Sequence, residues 1–160
     1  MALEGILGTI KQQEWIDTPA DWLQQLVRNT YDSLDPNTSV ALRNFLHGKW
    51  LGHPLHAAMT DVPIGLWTAA LLLDTIDTAA DREAVGAAAD TLIAGGVVAA
   101  AGAAVGGVTD WYKLRGDSTR RIGATHAAVN VTATILYGSS LLLRAGGMRG
   151  AGKLVGLLGW

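Results

Sequence analysis

The sequence has no cysteine in its 160 residues. That excludes disulfides, thiolate zinc sites and a cysteine-ligated iron–sulfur cluster within this chain. Charge is also scarce. Asp, Glu, Lys and Arg make up 16% of the residues, against about 25% in an ordinary soluble domain, so something other than water is expected to cover part of the surface. The formal net charge is -2, and no nucleic-acid partner is expected without a basic excess. The first residues, Met1 to Lys11, lack the basic start and long apolar run of a cleaved signal peptide. Insertion into a membrane is therefore expected to rely on internal segments. There is no nucleophile–base–acid arrangement, phosphate-cradling loop or pair of catalytic carboxylates, so an enzyme acting alone is not expected.

What the chain has is apolar and small. Hydrophobic residues reach 49% and glycines number 20, a density that favours close helix contact in lipid. Three apolar segments are expected to span, Pro54 to Leu73, Ala87 to Thr109 and Ile122 to Leu143, each near the ~20 residues that cross a bilayer as a helix. Pro63 is expected to kink the first, as lipid-embedded helices tolerate. Leu92 to Val108 has no polar side chain and hence no solvent face, and Gly102 and Gly106 form a GxxxG pair there. Glycines cost about 1 kcal/mol each in a soluble helix, and these point instead to packing in lipid or to a homo-oligomer formed through glycine-rich faces. A further apolar stretch, Leu154 to Trp160, reads as the start of a fourth span or as a short terminal anchor.

Residues 1–52 differ in character. Three of the six tryptophans lie there, Trp15, Trp22 and Trp50. Thr18-Pro19 reads as a helix start with proline at the first position, followed by Leu23, Leu26 and Val27 opposite Gln24, Gln25 and Arg28. Asp35-Pro36-Asn37 signals a turn, after which Thr38 or Ser39 is expected to cap a second amphipathic piece that Gly48 and Gly52 loosen at its end. The fold class is thus all-α: an integral membrane helical bundle of three full spans plus the start of a fourth. Its two parts are 1–52, amphipathic helices at the membrane interface, and 53–160, the transmembrane bundle.

The three spans bring separate parts of the sequence to one membrane face. His53, His56 and Asp61 open the first span, Asp110 closes the second, and His126 and Asn130 open the third. His126 and Asn130 are one helical turn apart, and His53 and His56 are three apart around Pro54. Asp61 lies about 12 Å along the axis from His53, where an ionisable group normally faces a partner in the bundle. Eight of the twelve Lys and Arg residues fall on that face and four, Arg82, Arg144, Arg149 and Lys153, on the other. The histidine face is therefore expected in the cytoplasm. His47, outside the spans, is expected to be solvated or interfacial, and an acidic stretch on the other side, Asp74, Asp77, Asp81 and Glu83, reads as a solvated loop or a contact face for a partner.

Leu46-His47-Gly48-Lys49-Trp50-Leu51-Gly52-His53-Pro54-Leu55-His56, continuing through Thr60-Asp61-Val62-Pro63-Ile64-Gly65-Leu66-Trp67-Thr68-Ala69-Ala70, resembles the membrane family called domain of unknown function 2231. So do Thr109-Asp110-Trp111, Arg121-Ile122-Gly123, and His126 with Asn130. The resemblance covers roughly residues 40–160. It implies a membrane bundle with a complete fourth span, often followed by a Rieske 2Fe–2S domain. This chain departs from the pattern at Asp61, where many members carry histidine.

Four functional readings follow. In the first, the chain is a membrane anchor or assembly subunit associated with a Rieske-type electron-transfer system, and the His/Asp/Asn cluster is structural. In the second, the bundle binds haem b, with His126 and either His53 or His56 as axial ligands from different helices. Both regions lie at helix starts, where the macrodipole disfavours imidazolium, and Trp67 is placed to pack on a porphyrin. In the third, His53, His56, Asp61, Asp110 and His126 supply nitrogen and oxygen ligands to a divalent metal. In the fourth, the cluster holds a quinone. The expected partners are the lipid bilayer and a redox protein or Rieske domain.

Overall fold

The computed structural model describes residues 2–80 and 83–160. Asp81 and Arg82, counted above among the charges of one face, lie outside the described residues, as does the side chain of Glu83. The described residues form helices joined by short turns, with no strand among them. Three short N-terminal helices come first, α1 (Ala2–Lys11), α2 (Asp17–Asp32) and α3 (Pro36–Leu46), with a single 3₁₀ turn, Glu14–Ile16, between α1 and α2. Three long helices follow, α4 (Leu55–Ala80), α5 (Glu83–Trp111) and α6 (Asp117–Ala145), then a short α7 (Arg149–Gly159).

Local chemistry explains several boundaries. Helix α3 starts one turn earlier than Thr38 or Ser39 would place it. The Asp35 carboxylate accepts hydrogen bonds at 3.1 Å from the backbone N–H groups of Asn37 and Thr38, and Pro36 follows at the first helical position, where its missing N–H is harmless. Helix α2 likewise begins at Asp17, so that Pro19 sits inside its first turn rather than opening it. The long helices overrun the apolar runs by a turn or two at their ends. Stretches of 23, 28 and 29 residues, Leu55–Asp77, Ala84–Trp111 and Asp117–Ala145, are long and apolar enough to cross a bilayer. At 1.5 Å per residue each exceeds the ~30 Å hydrocarbon core, so charged end residues can sit at or beyond its edges. Helix α7, with 11 residues, is too short to span.

The chain divides into two compact units. The first comprises residues 1–57 and 104–129: α1 to α3, the first turn of α4, the end of α5, and the start of α6. Tyr31 is its anchor. Its ring stacks on Tyr112 at 5.4 Å, its hydroxyl is 2.7 Å from Thr109 Oγ1, and the Arg43 guanidinium lies 5.7 Å over its ring. The turn between α3 and α4 is tightly wound rather than loosened by its glycines. Gly48 has a positive φ of 68°, and a Cβ there would strike the backbone at His53 and Leu55. Only glycine fits this conformation and this approach.

The second unit comprises residues 58–103 and 130–160. Its core is Trp67, Ala70, Ala89, Ile93 and Tyr137. Trp67 stacks on Tyr137 with centroids 4.2 Å apart and donates from Nε1 to the Ile93 carbonyl at 3.4 Å. Gly96 makes room for the Trp67 ring, Gly95 meets Leu66, and Gly102 meets the Met59 methyl. Within this unit, these glycines of α5 face α4 of the same chain. Helix α7 packs its own glycines on α6: Gly152 and Gly156 on Ser140 and Arg144, and Gly159 on Tyr137.

Candidate functional site

In the first unit, the glycines at the end of α5 create the space for His56. A Cβ on Gly107 would lie 2.7 to 3.2 Å from the His56 ring atoms, and one on Gly106 would lie 3.4 Å from its Cα. The imidazole thus rests directly on helix backbone. His126, on α6, brings its ring to 6.2 Å from that of His56, centroid to centroid, with the two planes perpendicular. Two spans therefore contribute one histidine each to a facing pair.

The other sequence candidates are distributed differently. His53 precedes α4 and does not share a helical face with His56. It is exposed, with Nδ1 3.2 Å from the Pro54 carbonyl oxygen. Asp110 pairs with His47, Oδ1 to Nδ1 at 2.5 Å, so His47 is a half-buried partner rather than a solvated side chain. Asp61 and Asn130 belong to the second unit, exposed on α4 and α6 respectively. Among the described residues, no three of His, Asp and Glu gather as metal ligands do. Trp67, placed above against a porphyrin, is buried on Tyr137 instead. The His47–Asp110 pair was hidden in sequence because 63 residues separate its members. The one available signal was that both residues flank predicted spans on the same face.

Around the histidine pair, the unit is tied together by charge. Arg121 makes a bidentate contact with Asp17, Nε to Oδ1 at 2.9 Å and Nη2 to Oδ2 at 2.5 Å, and donates to the Lys11 carbonyl at 2.6 Å. Arg120 contacts Asp17 at 3.3 Å, Asp21 at 2.7 Å and Asp117 at 3.4 Å. The Asp17 carboxyl is accordingly pulled down to about 2, first by the Arg121 hydrogen bond, against some desolvation, and then by Arg120. Gln24, buried on α2, donates from Nε2 to the carbonyls of Trp111 and Leu114, both at 3.3 Å. Helix α2 is thereby fastened to the end of α5 and the loop after it.

The second unit holds a charged cluster that includes two residues of the acidic run expected in solvent. Asp74 and Asp77 are buried in the last turns of α4. The Arg144 side chain, 1% exposed, contacts Asp74 at 2.8 and 2.5 Å, Asp90 at 2.9 Å and Ser140 Oγ at 3.0 Å. Arg149 reaches Asp90 at 2.8 Å and Asp77 at 3.3 Å, and Lys153 reaches Asp77 at 2.5 Å. Three cations from α6 and α7 meet three carboxylates from α4 and α5. Sequence patterning missed this because Asp74 and Asp77 follow one another near a helix end and resemble a solvated run, while their partners lie 70 or more residues away.

Residues 52–159 match the family described as Predicted membrane protein (DUF2231), so the chain belongs to that family. No curated protein and no solved structure is significantly similar to it.

Proposed function

As a member of this multi-pass membrane family, the chain is one for which we propose the role of membrane anchor or assembly subunit in a redox system. One observation carries the anchoring part. Only 17%, 22% and 11% of the three spanning windows is buried within the chain. Large apolar side chains such as Val98, Leu142 and Ile135 stand 61 to 76% exposed on them. Such surface requires lipid or another membrane helix. The N-terminal region has exposed aromatics of its own, Trp15, Trp22, Phe45 and Trp50 at 55 to 72% exposure, and aromatic side chains of this kind favour the headgroup level. The redox association rests on the resemblance to Rieske-fused members. The cluster itself must lie on another polypeptide or segment, since this chain has no cysteine. The cytoplasmic placement of the histidine face rests on the eight-to-four division of cations.

The test is purification from native membranes in mild detergent, followed by electron paramagnetic resonance of the reduced eluate. A Rieske-type 2Fe–2S signal that co-elutes with the chain is expected. Its absence at native expression overturns the redox association. Retention in the membrane pellet after alkaline carbonate washing is expected, and release would overturn the anchor.

A second reading is favoured by the histidine pair. Imidazole nitrogens bind metal ions at about 2.0–2.1 Å, so two rings facing each other across one ion have centroids about 6 Å apart. The His56–His126 separation is 6.2 Å, and the residues come from two spans, so that each could supply one nitrogen to a group held between the helices. His56 and His126 would then hold a haem b, which would supply one-electron transfer. Gly106 and Gly107 would set the depth of the His56 ring. The oxidised and dithionite-reduced visible spectra of the detergent-purified protein decide it. A Soret band that is lost in both His56→Ala and His126→Ala supports ligation. A colourless protein from cells supplied with haem sinks it.

A further inference from the structure

We propose that the first unit carries a binding site for the phosphate headgroup of an anionic phospholipid, in the cavity between α2 and the loop that joins α5 to α6. The cavity is about 670 Å³ and is lined by Arg28 on α2, by Lys113 and Arg115 on the loop, and by Arg120 at the start of α6. Asp21 is the single carboxylate on its wall, and it is engaged by Arg120 at 2.7 Å.

The charge balance is the core of the argument. Arg120 and Arg121 are neutralised by Asp17, Asp21 and Asp117. Among the described residues, no carboxylate pairs with Arg28, Lys113 or Arg115, all of which are exposed. The wall itself carries four cations, Arg28, Lys113, Arg115 and Arg120, against one carboxylate, Asp21. Lys113 lies over an aromatic face, 5.4 Å from the Tyr112 centroid. An exposed cation is ordinary, but three that converge on one built concavity without a counter-ion form a site for an anion.

The concavity is held in place. Gln24 fixes the loop to α2 through the carbonyls of Trp111 and Leu114, and Tyr112 is buried against Tyr31. Gly116, with a φ of 98°, turns the chain into α6. The amides of Gln25 and Asn29 add neutral donors to the wall.

The position selects a lipid over a free anion. The loop joins the last residue of one spanning stretch, Trp111, to the first of the next, Asp117, so the site lies where headgroups lie. Exposed Trp22 and Leu26 on α2 supply the apolar flank that the upper acyl chain and glycerol need. Basic residues at such a boundary each strengthen anionic-lipid binding by about 1 kcal/mol, which is about fivefold. This inference needs only the membrane location and is independent of the redox reading.

The experiment is native mass spectrometry of the full chain in detergent with phosphatidylglycerol and phosphatidylcholine in equal amounts. Preferential retention of phosphatidylglycerol is expected. In the triple variant Arg28→Gln, Lys113→Gln, Arg115→Gln the preference should fall by roughly a hundredfold, with an unchanged circular dichroism spectrum. Lys49→Gln, which removes an exposed cation elsewhere in the unit, should leave it intact. Equal retention of both lipids by the wild type, or an undiminished preference in the folded triple variant, overturns the site. Displacement of phosphatidylglycerol by millimolar inorganic phosphate would show a free-anion site and overturn the lipid assignment. If the triple variant does not fold, Lys113→Gln and Arg115→Gln are tested singly, each expected to reduce the preference about fivefold.

Discussion

In the second unit each described cation is matched to carboxylates: Arg144 to Asp74 and Asp90, Arg149 to Asp90 and Asp77, Lys153 to Asp77. The groups are half-buried or buried, and they join four helices. In the first unit the pairing is uneven. Arg120 and Arg121 share three aspartates, while Arg28, Lys113 and Arg115 face a cavity with no carboxylate of their own, and two histidines face each other from different spans. The difference follows from what burial demands. A charge removed from water must be paired, or the fold pays the full desolvation cost. A charge at the headgroup level can stay unpaired and available to a ligand. The second unit uses its charges to hold itself together, whereas the first leaves three cations exposed at one cavity.

This contrast can be broken first at Arg144. In Arg144→Met, Asp74 and Asp90 lose their principal buried partner, and a loss of about 3–5 kcal/mol is expected. It would be read from the thermal or denaturant unfolding of the detergent-solubilised protein. A change within a few tenths of a kcal/mol would show that the network is solvated. In Gly152→Ala, the new methyl meets the Ser140 carbonyl at 2.8 Å and Arg144 Cγ at 2.6 Å, so α7 must shift on α6. The expected cost is about 1–3 kcal/mol, together with faster proteolysis after Arg149 and Lys153. An unchanged digestion pattern would argue against that packing.

Tyr137 sharpens the comparison from the other direction. Its hydroxyl is buried with no hydrogen-bond partner among the described residues. Tyr137→Phe keeps the stack on Trp67 and removes an unsatisfied group, and should leave stability equal or raise it by about 1 kcal/mol. A clear destabilisation would reveal a hidden partner. The smallest effect is expected in the first unit. The Asp17 carboxyl is lowered from 3.8 to about 2 by Arg121 and then Arg120. Its contribution is therefore present above pH 3.8 and is lost as the pH falls toward 2. Asp17→Asn should flatten the acid limb of the stability curve in that window and leave the curve near neutrality with the same shape. An identical acid limb in wild type and variant would show that the ion pair is screened out.

Sequence alone determined the class of the molecule. The run Leu92–Val108 has no polar side chain, so it has no face for water, and the lengths of the three apolar segments set three spans. The GHPLH element, with Thr109-Asp110-Trp111, indicated the family. Period and length are local properties, readable one residue after another. Tertiary structure decided the partners. The acidic stretch Asp74, Asp77, Asp81 and Glu83 reads as a solvated run until Arg144, Arg149 and Lys153 are seen against Asp74 and Asp77. His47 reads as solvated until Asp110 is seen beside it. Gly106 reads as part of a helix-packing face, but that it and Gly107 receive His56 is visible only in three dimensions. Pairing energy depends on distance through space, and a helical hairpin sets that distance by a rotation and register that no single stretch of sequence contains.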